Sequence, residues 1–346
     1  MPAQRLAELT GRFSQLRIAV IGDFFLDKYL DVDPAMAELS VETGKTAHQV
    51  VGIRHSPGAA GTVVCNLAAL TAGAIHAVGF TGDDGEAYDL RRDLQSLGCT
   101  TEHLHCDPHR ATPTYLKPRD RTEAGLAGEH SRYDTKNRTP TADDVQQRIL
   151  ASLDALLPRL DAVVILDQVE EPDCGVVTAE VRRALADRAE CHPGVVFWAD
   201  SRRHICQFRR TIIKPNQFEA VGRHDPVPGD NVPLDDLAAA VARLRSETGA
   251  AIFATRGAEG MVVSDPELTL VPGVRIEGPT DPTGAGDSAT AGATLALAAG
   301  ADYAEAALIG NLVASITVEQ LATTGTARPD QLASRLERWQ SQQGGV

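Results

Sequence analysis

The sequence has few aromatic residues, no paired cysteines and no long apolar run, and each shortage excludes a class of protein. Phenylalanine, tryptophan and tyrosine make up only 4% of the 346 residues. Cysteines occur without the paired spacing of a disulfide framework, which predicts free thiols: Cys65, Cys99, Cys106, Cys174, Cys191 and Cys206. No run reaches the roughly 18 apolar residues of a membrane-spanning helix. The N-terminus lacks the apolar core of a signal peptide, so we expect a cytoplasmic protein.

Positive charge is also scarce. The chain has 33 Lys and Arg residues against 47 Asp and Glu residues, which gives a formal net charge of −14. An acidic balance of this size argues against nucleic acid or an anionic membrane surface as a partner. It does not exclude a phosphorylated small molecule, since a local loop can bind phosphate whatever the net charge.

Short apolar runs alternate with helical patterns along most of the chain. Hydrophobic residues make up 43% of the sequence, with abundant Ala, Val and Leu, which suits buried parallel strands covered by small-residue helices. The alternation predicts an α/β fold with a doubly wound, mostly parallel sheet. The predicted strands are 17–22, 75–80, 161–166, 195–199, 211–213 and 250–254.

Two segments, residues 30–51 and 111–133, interrupt this alternation with polar, alternating patterns. We interpret them as a small antiparallel β-sheet that covers the carboxyl ends of the main strands as a lid. The alternative is that both are long irregular loops. With the lid inserted, residues 1–346 are expected to form one domain.

The most informative motif is the run from Asp281 to Ser288, in which two glycines lie between two aspartates. An Ala- and Leu-rich helix pattern follows, so Gly284, Ala285 and Gly286 are predicted at a helix N-terminus. Backbone amides at such a terminus favour negative charge, and Asp287 would be a carboxylate beside them. This combination suits a hydroxyl that attacks a phosphate. The alternative is an ordinary glycine-rich turn.

Three further motifs follow predicted strands. Asp23 and Asp27 come after the first strand, where they could accept hydrogen bonds from sugar hydroxyls or could simply cap a turn. Asn216 and Glu219 form an Asn-x-x-Glu pattern, which suits either nucleotide phosphates with Mg²⁺ or a helix capping box. Thr255 and Gly257 lie in a glycine-rich turn that a nucleotide could approach closely, although two joined strands would need the same turn.

Together these motifs resemble the ribokinase/PfkB family of carbohydrate kinases, nearest its heptose-7-phosphate kinase branch. The resemblance covers roughly residues 17–328, with the motifs in the family's order. The segments that carry the likeness to that branch are GDFFLDKY at 22–29, TIIKPNQFEA at 211–220 and ATRGAEGM at 254–261. The resemblance implies a kinase that uses ATP and Mg²⁺ to phosphorylate a sugar or sugar-phosphate hydroxyl.

The resemblance also implies roles for individual residues. Asp287 matches the general base, and Gly284, Ala285 and Gly286 match the anion hole. The matching nucleotide and cation positions are Asn216, Glu219 (Mg²⁺, through water), Thr255, Gly257 and Asn311, with Asp281 and Thr283 for a monovalent cation such as K⁺. The matching or neighbouring substrate positions are Asp23, Asp27, Gly58, Thr62, Lys117, Arg132 and Asp167. Lid sheets of this family often pair between subunits, so the resemblance suggests a homodimer by analogy.

The chain departs from the family pattern around residues 57–62. Ala59 stands where relatives have a glycine, and Thr62 stands where they have an asparagine that touches the sugar. Thr62 cannot make the same amide contacts, and Ala59 restricts the backbone. We therefore keep two alternatives to a kinase of sugars or sugar phosphates: a nucleoside or fructose-type kinase of the same family, and a catalytically silent nucleotide- or sugar-binding protein.

Overall fold

A six-stranded parallel sheet forms the centre of the molecule in the computed structural model, which describes residues 1–123, 128–227, 229–321 and 324–344. Its strand order is β10-β9-β8-β1-β4-β5. The strands are β1 (Arg17–Gly22), β4 (Ala74–Thr81), β5 (Cys99–Cys106), β8 (Ala162–Asp167), β9 (Val196–Ser201) and β10 (Ile212–Ile213). The predicted doubly wound α/β fold is confirmed, with five of the six predicted strands at or within two residues of their expected bounds.

Helices cover both faces of this sheet. Successive residues of a strand point to opposite faces, and in the central strands the residues on both faces are apolar. In β1, Ile18 and Val20 pack in one buried cluster while Ala19 and Ile21 pack in the other. The first cluster includes α1 (Ala3–Thr10), α2 (Ala60–Ala69), α3 (Gly85–Ser96), α8 (Ala285–Ala298), α9 (Tyr303–Thr317) and α10 (Pro329–Gln343). The second includes α4 (Asp143–Leu156), α5 (Ala179–Cys191) and α7 (Leu234–Thr248), beside the short α6 (Gln217–Ala220).

The predicted strand at 250–254 does not join the parallel sheet as a full member. It begins later, as β11 (Phe253–Thr255), and pairs antiparallel with β12 (Met261–Val263), which pairs with β13 (Thr269–Val271). Single parallel bridges, Ile213 to Ile252 and Asn216 to Thr255, connect this small sheet to the central one. The tight Thr-Arg-Gly turn reverses the chain, which an antiparallel hairpin requires.

The lid is a four-stranded sheet in the order β3-β2-β6-β7. Its strands are β2 (Phe24–Leu39), β3 (Thr46–Ala59), β6 (Thr114–Asp120) and β7 (Tyr133–Thr135). The predicted lid is confirmed, although its first strand begins earlier than expected and β2 pairs with β6 in parallel. Residues 124–127 of the second predicted lid segment lie outside the described residues.

The base of the lid rests on α3. Lys28 Nζ lies 2.9 Å from Glu86 Oε1, and His55 Nδ1 lies 2.5 Å from Asp93 Oδ2. These contacts hold the lid over the carboxyl ends of the central strands, where ligands bind in open α/β sheets. Within the part of the chain that the structure describes, no helix is long and apolar enough to cross a bilayer.

Candidate active site

The glycine-rich run lies at the N-terminus of α8, beside Thr62 of α2. Gly284 adopts φ 77°, a left-handed conformation that glycine tolerates without strain, and it begins the helix. The amide of Ala285 donates to Pro282 O and that of Ser288 donates to Gly284 O. Gly286 and Asp287 lie between these two donors at the terminus. The structure therefore places the predicted anion hole and Asp287 on one helical turn.

Asp287 lies in an electrostatically unusual setting. Burial, and to a smaller extent nearby Asp200, raise the pKa of its carboxyl to about 7 against the opposing effect of Lys214. A carboxyl that titrates near neutrality is suited to accept a proton and release it again at physiological pH. The site therefore contains a group with the properties of a general base.

Asn216 and Glu219 form a complete capping box at the start of α6. Asn216 Oδ1 accepts hydrogen bonds from the amides of Phe218 and Glu219, both at 2.9 Å, and Glu219 Oε2 accepts from the Asn216 amide at 2.7 Å. Burial raises the pKa of Glu219 to about 6, with a further contribution from Asp200. The capping alternative is thus present in the structure, and it uses only one of the two carboxylate oxygens of Glu219.

A cleft of about 310 Å³ opens beside the α8 terminus. Its walls include Gly257, Ala285 and Asn311, all three predicted to contact a nucleotide or its phosphates. Asn311 Nδ2 donates to Val271 O at 3.0 Å, which fixes the chain after β13 as one wall. Thr255 joins this region to the capping box, because its amide donates to Pro215 O at 2.9 Å.

Asp23 is buried at the end of β1 and is occupied by backbone groups. Its Oδ2 accepts from the amides of Gln168 and Val169, and its Oδ1 accepts from Val176, at 2.7–3.1 Å. Burial, together with the nearby Asp167, raises the pKa of Asp23 to about 6. These contacts hold the loop after β8 in place, and the sugar-hydroxyl contact of Asp23 stays a prediction.

Asp27 lies on β2 and faces a cation of the lid. Lys117 Nζ is 2.7 Å from Asp27 Oδ1 and lies over the rings of Tyr29 and Tyr115. A methyl group placed on Gly58 would lie 2.7 Å from Asp27 Oδ2, so only glycine leaves this carboxylate its position. Asp27, Gly58 and Lys117 therefore form one group, as the resemblance implies for the sugar side of the site.

The unusual 57–62 segment contacts the glycine run directly. A methyl group placed on Gly284 would lie 3.5 Å from Thr62 Cγ2, so the methyl of Thr62 packs against that turn. Ala59 adopts φ 52° and ψ −118°, a conformation that side chains disfavour. The substitutions at these two positions thus lie where the sugar side meets the anion hole.

Arg132 directly precedes β7 of the lid, and Asp167 is the last residue of β8. Arg132 pairs with Asp134, at 2.7 Å, and its guanidinium lies 4.3 Å from the ring centroid of Tyr115. Asp167 is buried and accepts from Ser201 Oγ at 2.8 Å, with His204 Nδ1 at 3.1 Å. Arg132 lies at the rim of the sugar side, and Asp167 lines a cleft beside α5 while lying close to Asp23.

No group of three or more His, Cys, Asp or Glu side chains that could hold a metal directly occurs among the described residues. Near the anion hole, Asp281 Oδ1 accepts from the Thr283 amide at 3.0 Å. That turn leaves both residues beside the α8 terminus, where the resemblance implies a monovalent cation.

Asp200 and Lys214 are two site residues to which the sequence patterns assigned no role. Lys214 Nζ lies 2.8 Å from Asp200 Oδ2, at the carboxyl ends of neighbouring strands. Asp200 directly follows the predicted strand 195–199, and polar residues at that position are the available signal. Arg202, which pairs with Glu170 beside the sugar side, follows the same strand.

A doubly wound sheet with a lid and an aspartate at a glycine-rich helix N-terminus defines a carbohydrate kinase of the ribokinase-like class. The profile of the pfkB family carbohydrate kinases matches residues 16–330. The chain therefore belongs to this family and is a sugar kinase that transfers phosphate to a hydroxyl.

Relatives with curated names are similar over most of this chain. It is 31% identical over 324 residues to the bifunctional protein HldE of Caulobacter vibrioides, which covers 92% of this chain and 63% of that protein. It is 30% identical to the HldE protein of Stutzerimonas stutzeri, over 97% of this chain and 67% of that protein. The chain thus spans about two thirds of the length of these relatives.

Solved structures share the fold at lower identity. Escherichia coli phosphofructokinase-2 in complex with fructose-6-phosphate aligns with a TM-score of 0.67 and 16% identity, covering 94% of this chain and 99% of that chain. Arabidopsis thaliana ribokinase complexed with ribose and ATP aligns with a TM-score of 0.64 and 16% identity, covering 93% and 99%. The ribokinase-like fold with its small separate sheet is therefore confirmed.

Proposed function

We propose that this kinase transfers the γ-phosphoryl group of ATP to a hydroxyl of a phosphorylated sugar, with Asp287 as the general base. The observation that carries the proposal is the position of Asp287, on the first turn of α8 beside the Gly284–Gly286 amides, with a pKa of about 7. A base and an anion-binding terminus on one turn can accept a proton and stabilise charge on the transferred group.

The nucleotide would occupy the cleft beside Gly257 and Asn311, with its phosphates directed toward the α8 terminus. Asn216 and Glu219 lie next to this path. Bound Mg²⁺, held through water by Glu219, would supply positive charge to the phosphates. The pKa values of Asp287 and Glu219 are raised first by burial and then by nearby Asp200, and a bound cation would favour the ionised form of both carboxyls.

The acceptor would lie beneath the lid beside Asp27, with its hydroxyl toward Asp287. Three cationic side chains near Tyr115, namely Lys136, Arg132 and Arg202, favour a substrate that carries a phosphate of its own. The HldE relatives point the same way, toward a heptose phosphate. The altered Thr62 keeps a nucleoside or fructose-type acceptor as the alternative.

A coupled ADP-release assay across sugars, sugar phosphates and nucleosides tests the proposal. We expect turnover with a phosphorylated sugar and much less with its unphosphorylated form. Changing Arg132 to Met should raise KM for that phosphosugar about tenfold, as the loss of one charge-assisted contact would. ATP binding without turnover on any acceptor would favour a catalytically silent protein instead.

A further inference from the structure

Lys214 and Asp200 form a buried ion pair beneath the first turn of α8. Lys214 is only 5% exposed and its Nζ lies 2.8 Å from Asp200 Oδ2. A methyl group placed on Gly286 would lie 3.3 Å from that nitrogen. The ammonium is therefore directly under the glycine turn, next to Asp287 on the same helix.

Asp200 also connects to α8 through a second contact. Thr290 Oγ1 lies 3.5 Å from Asp200 Oδ2, and Trp198 Nε1 donates to Thr290 Oγ1 at 3.3 Å. Thr290 and Trp198 are fully buried, and Thr290 lies one turn after Asp287 on the same face of α8. The carboxylate of Asp200, on β9, thus contacts both Lys214, which follows β10, and Thr290 of α8, the helix that carries Asp287.

Lys214 keeps its positive charge although it is buried. Burial disfavours its ammonium, but the carboxylates of Asp200, Glu219 and Asp287 together raise the pKa of Lys214, so it stays charged. The buried ammonium of Lys214 is therefore surrounded by three carboxylates of the site. Removing its partner would leave a buried charge free to move toward another carboxylate.

We propose that Asp200 is a positioning residue for phosphoryl transfer. It holds Lys214 Nζ beneath the Gly284–Gly286 turn and, through Thr290, fixes the first turns of α8 that carry Asp287. Asp200 itself does not touch the reacting groups. This inference rests on the proposed function, because it assigns a supporting role at the same site.

The decisive variant is Asp200→Asn, which keeps the shape and one acceptor oxygen but removes the charge. We expect kcat to fall about 10- to 100-fold, with KM for ATP and for the sugar changed less than threefold, since positioning acts on the transition state more than on binding. Lys214→Met should show a comparable loss. The double variant should lose little beyond the worse single variant, because the two residues act as one unit.

A matched control is the ion pair of Arg245 and Asp265, which joins α7 to the loop after β12 at 2.7 Å and lies outside the site. Asp265→Asn should change kcat by less than twofold whatever it does to the melting temperature. If Asp200→Asn and Asp265→Asn alter kcat equally, or if Asp200→Asn keeps wild-type kcat, the inference is overturned. Thr290→Val removes the contact of Asp200 to α8, together with the acceptor of Trp198 Nε1. It should lower kcat about threefold to tenfold and serves if Asp200→Asn does not fold.

A crystal structure of the Asp200→Asn variant separates this inference from the proposed function, because it needs no turnover. We expect Lys214 Nζ to move away from Gly286 and the first turn of α8 to shift. An unchanged lysine and an unchanged turn would refute the positioning role even if the wild type is an active kinase. A wild type without turnover on any acceptor would instead refute the proposed function.

Discussion

At the scale of single residues, the account depends on the protonation of Asp287. Its pKa is raised to about 7 from an ordinary value of 3.8, first by burial and then by the charge of Asp200. A base acts only when ionised, so a raised pKa brings its titration into the physiological range. We therefore expect both kcat and the free energy of unfolding to depend on pH through Asp287.

The rate should depend on pH through Asp287. With saturating substrates, kcat should rise about tenfold per unit as pH increases toward 7 and should level off above it, because the fraction of ionised base grows over that range. Glu219, with a pKa of about 6, would steepen the fall at lower pH. A pH profile of single-turnover rates checks this. A flat profile between pH 5.5 and 8 would contradict the assignment.

Stability should show the opposite dependence. The pKa of Asp287 is higher in the folded state, so the folded state binds the carboxyl proton more tightly than the unfolded state does. The stability that this proton contributes to the fold is lost as pH rises from about 4 through 7. Asp287→Asn should therefore increase the free energy of unfolding by about 1–2 kcal/mol at pH 8. At pH 4 or below the variant should match the wild type. Urea unfolding at both pH values measures the difference. Equal free energies of unfolding at pH 8 would show that the ionised carboxylate of Asp287 does not destabilise the folded state.

At the scale of elements, the junction between β3 and α2 is strained. Ala59 adopts φ 52° and ψ −118°, where a side chain costs roughly 1–3 kcal/mol. Ala59→Gly should raise stability by about 1 kcal/mol, the relief of strain less the extra chain entropy of glycine. Ala69→Gly, in the helical conformation of α2, should instead lower stability by about 0.5–1 kcal/mol. Thermal unfolding compares the two, and a destabilising Ala59→Gly would be inconsistent with strain.

The elements also show what sequence patterns can and cannot predict. Buried strands such as β1 and β8 are apolar on both faces, so their runs are visible without a structure. The motif at Asp287 was likewise predictable, since glycines and an aspartate lie next to each other in the chain. The parallel pairing of β2 with β6 and the ion pair of Asp200 with Lys214 were not, because pairing between separate segments leaves no local pattern.

At the scale of the whole molecule, the lid carries large apolar side chains that are exposed. Ile53 is 59% exposed and Leu39 is 72% exposed, and Met36, Val41 and Val50 share this exposure. Exposed apolar groups gathered on one element favour an interaction surface. We propose that two copies of the chain associate through this exposed apolar surface of the lid.

Ile53→Glu should therefore convert a dimer into a monomer, because a charge would be buried at the interface. Size-exclusion chromatography with light scattering measures the mass of each form. Leu268→Glu is the matched control, since Leu268 is 47% exposed and lies outside the lid. A wild type that is monomeric at tens of micromolar, or a control that dissociates as readily, would contradict lid pairing.

The central claim is that Asp287 accepts the proton of the attacking hydroxyl, and Asp287→Asn tests it most directly. Single-turnover kinetics with ATP and the accepted sugar, alongside calorimetric nucleotide binding, give the rate and the affinity separately. We predict that the rate falls at least about 100-fold while nucleotide affinity changes less than threefold, as expected for loss of a general base. A variant that turns over at the wild-type rate would contradict the account.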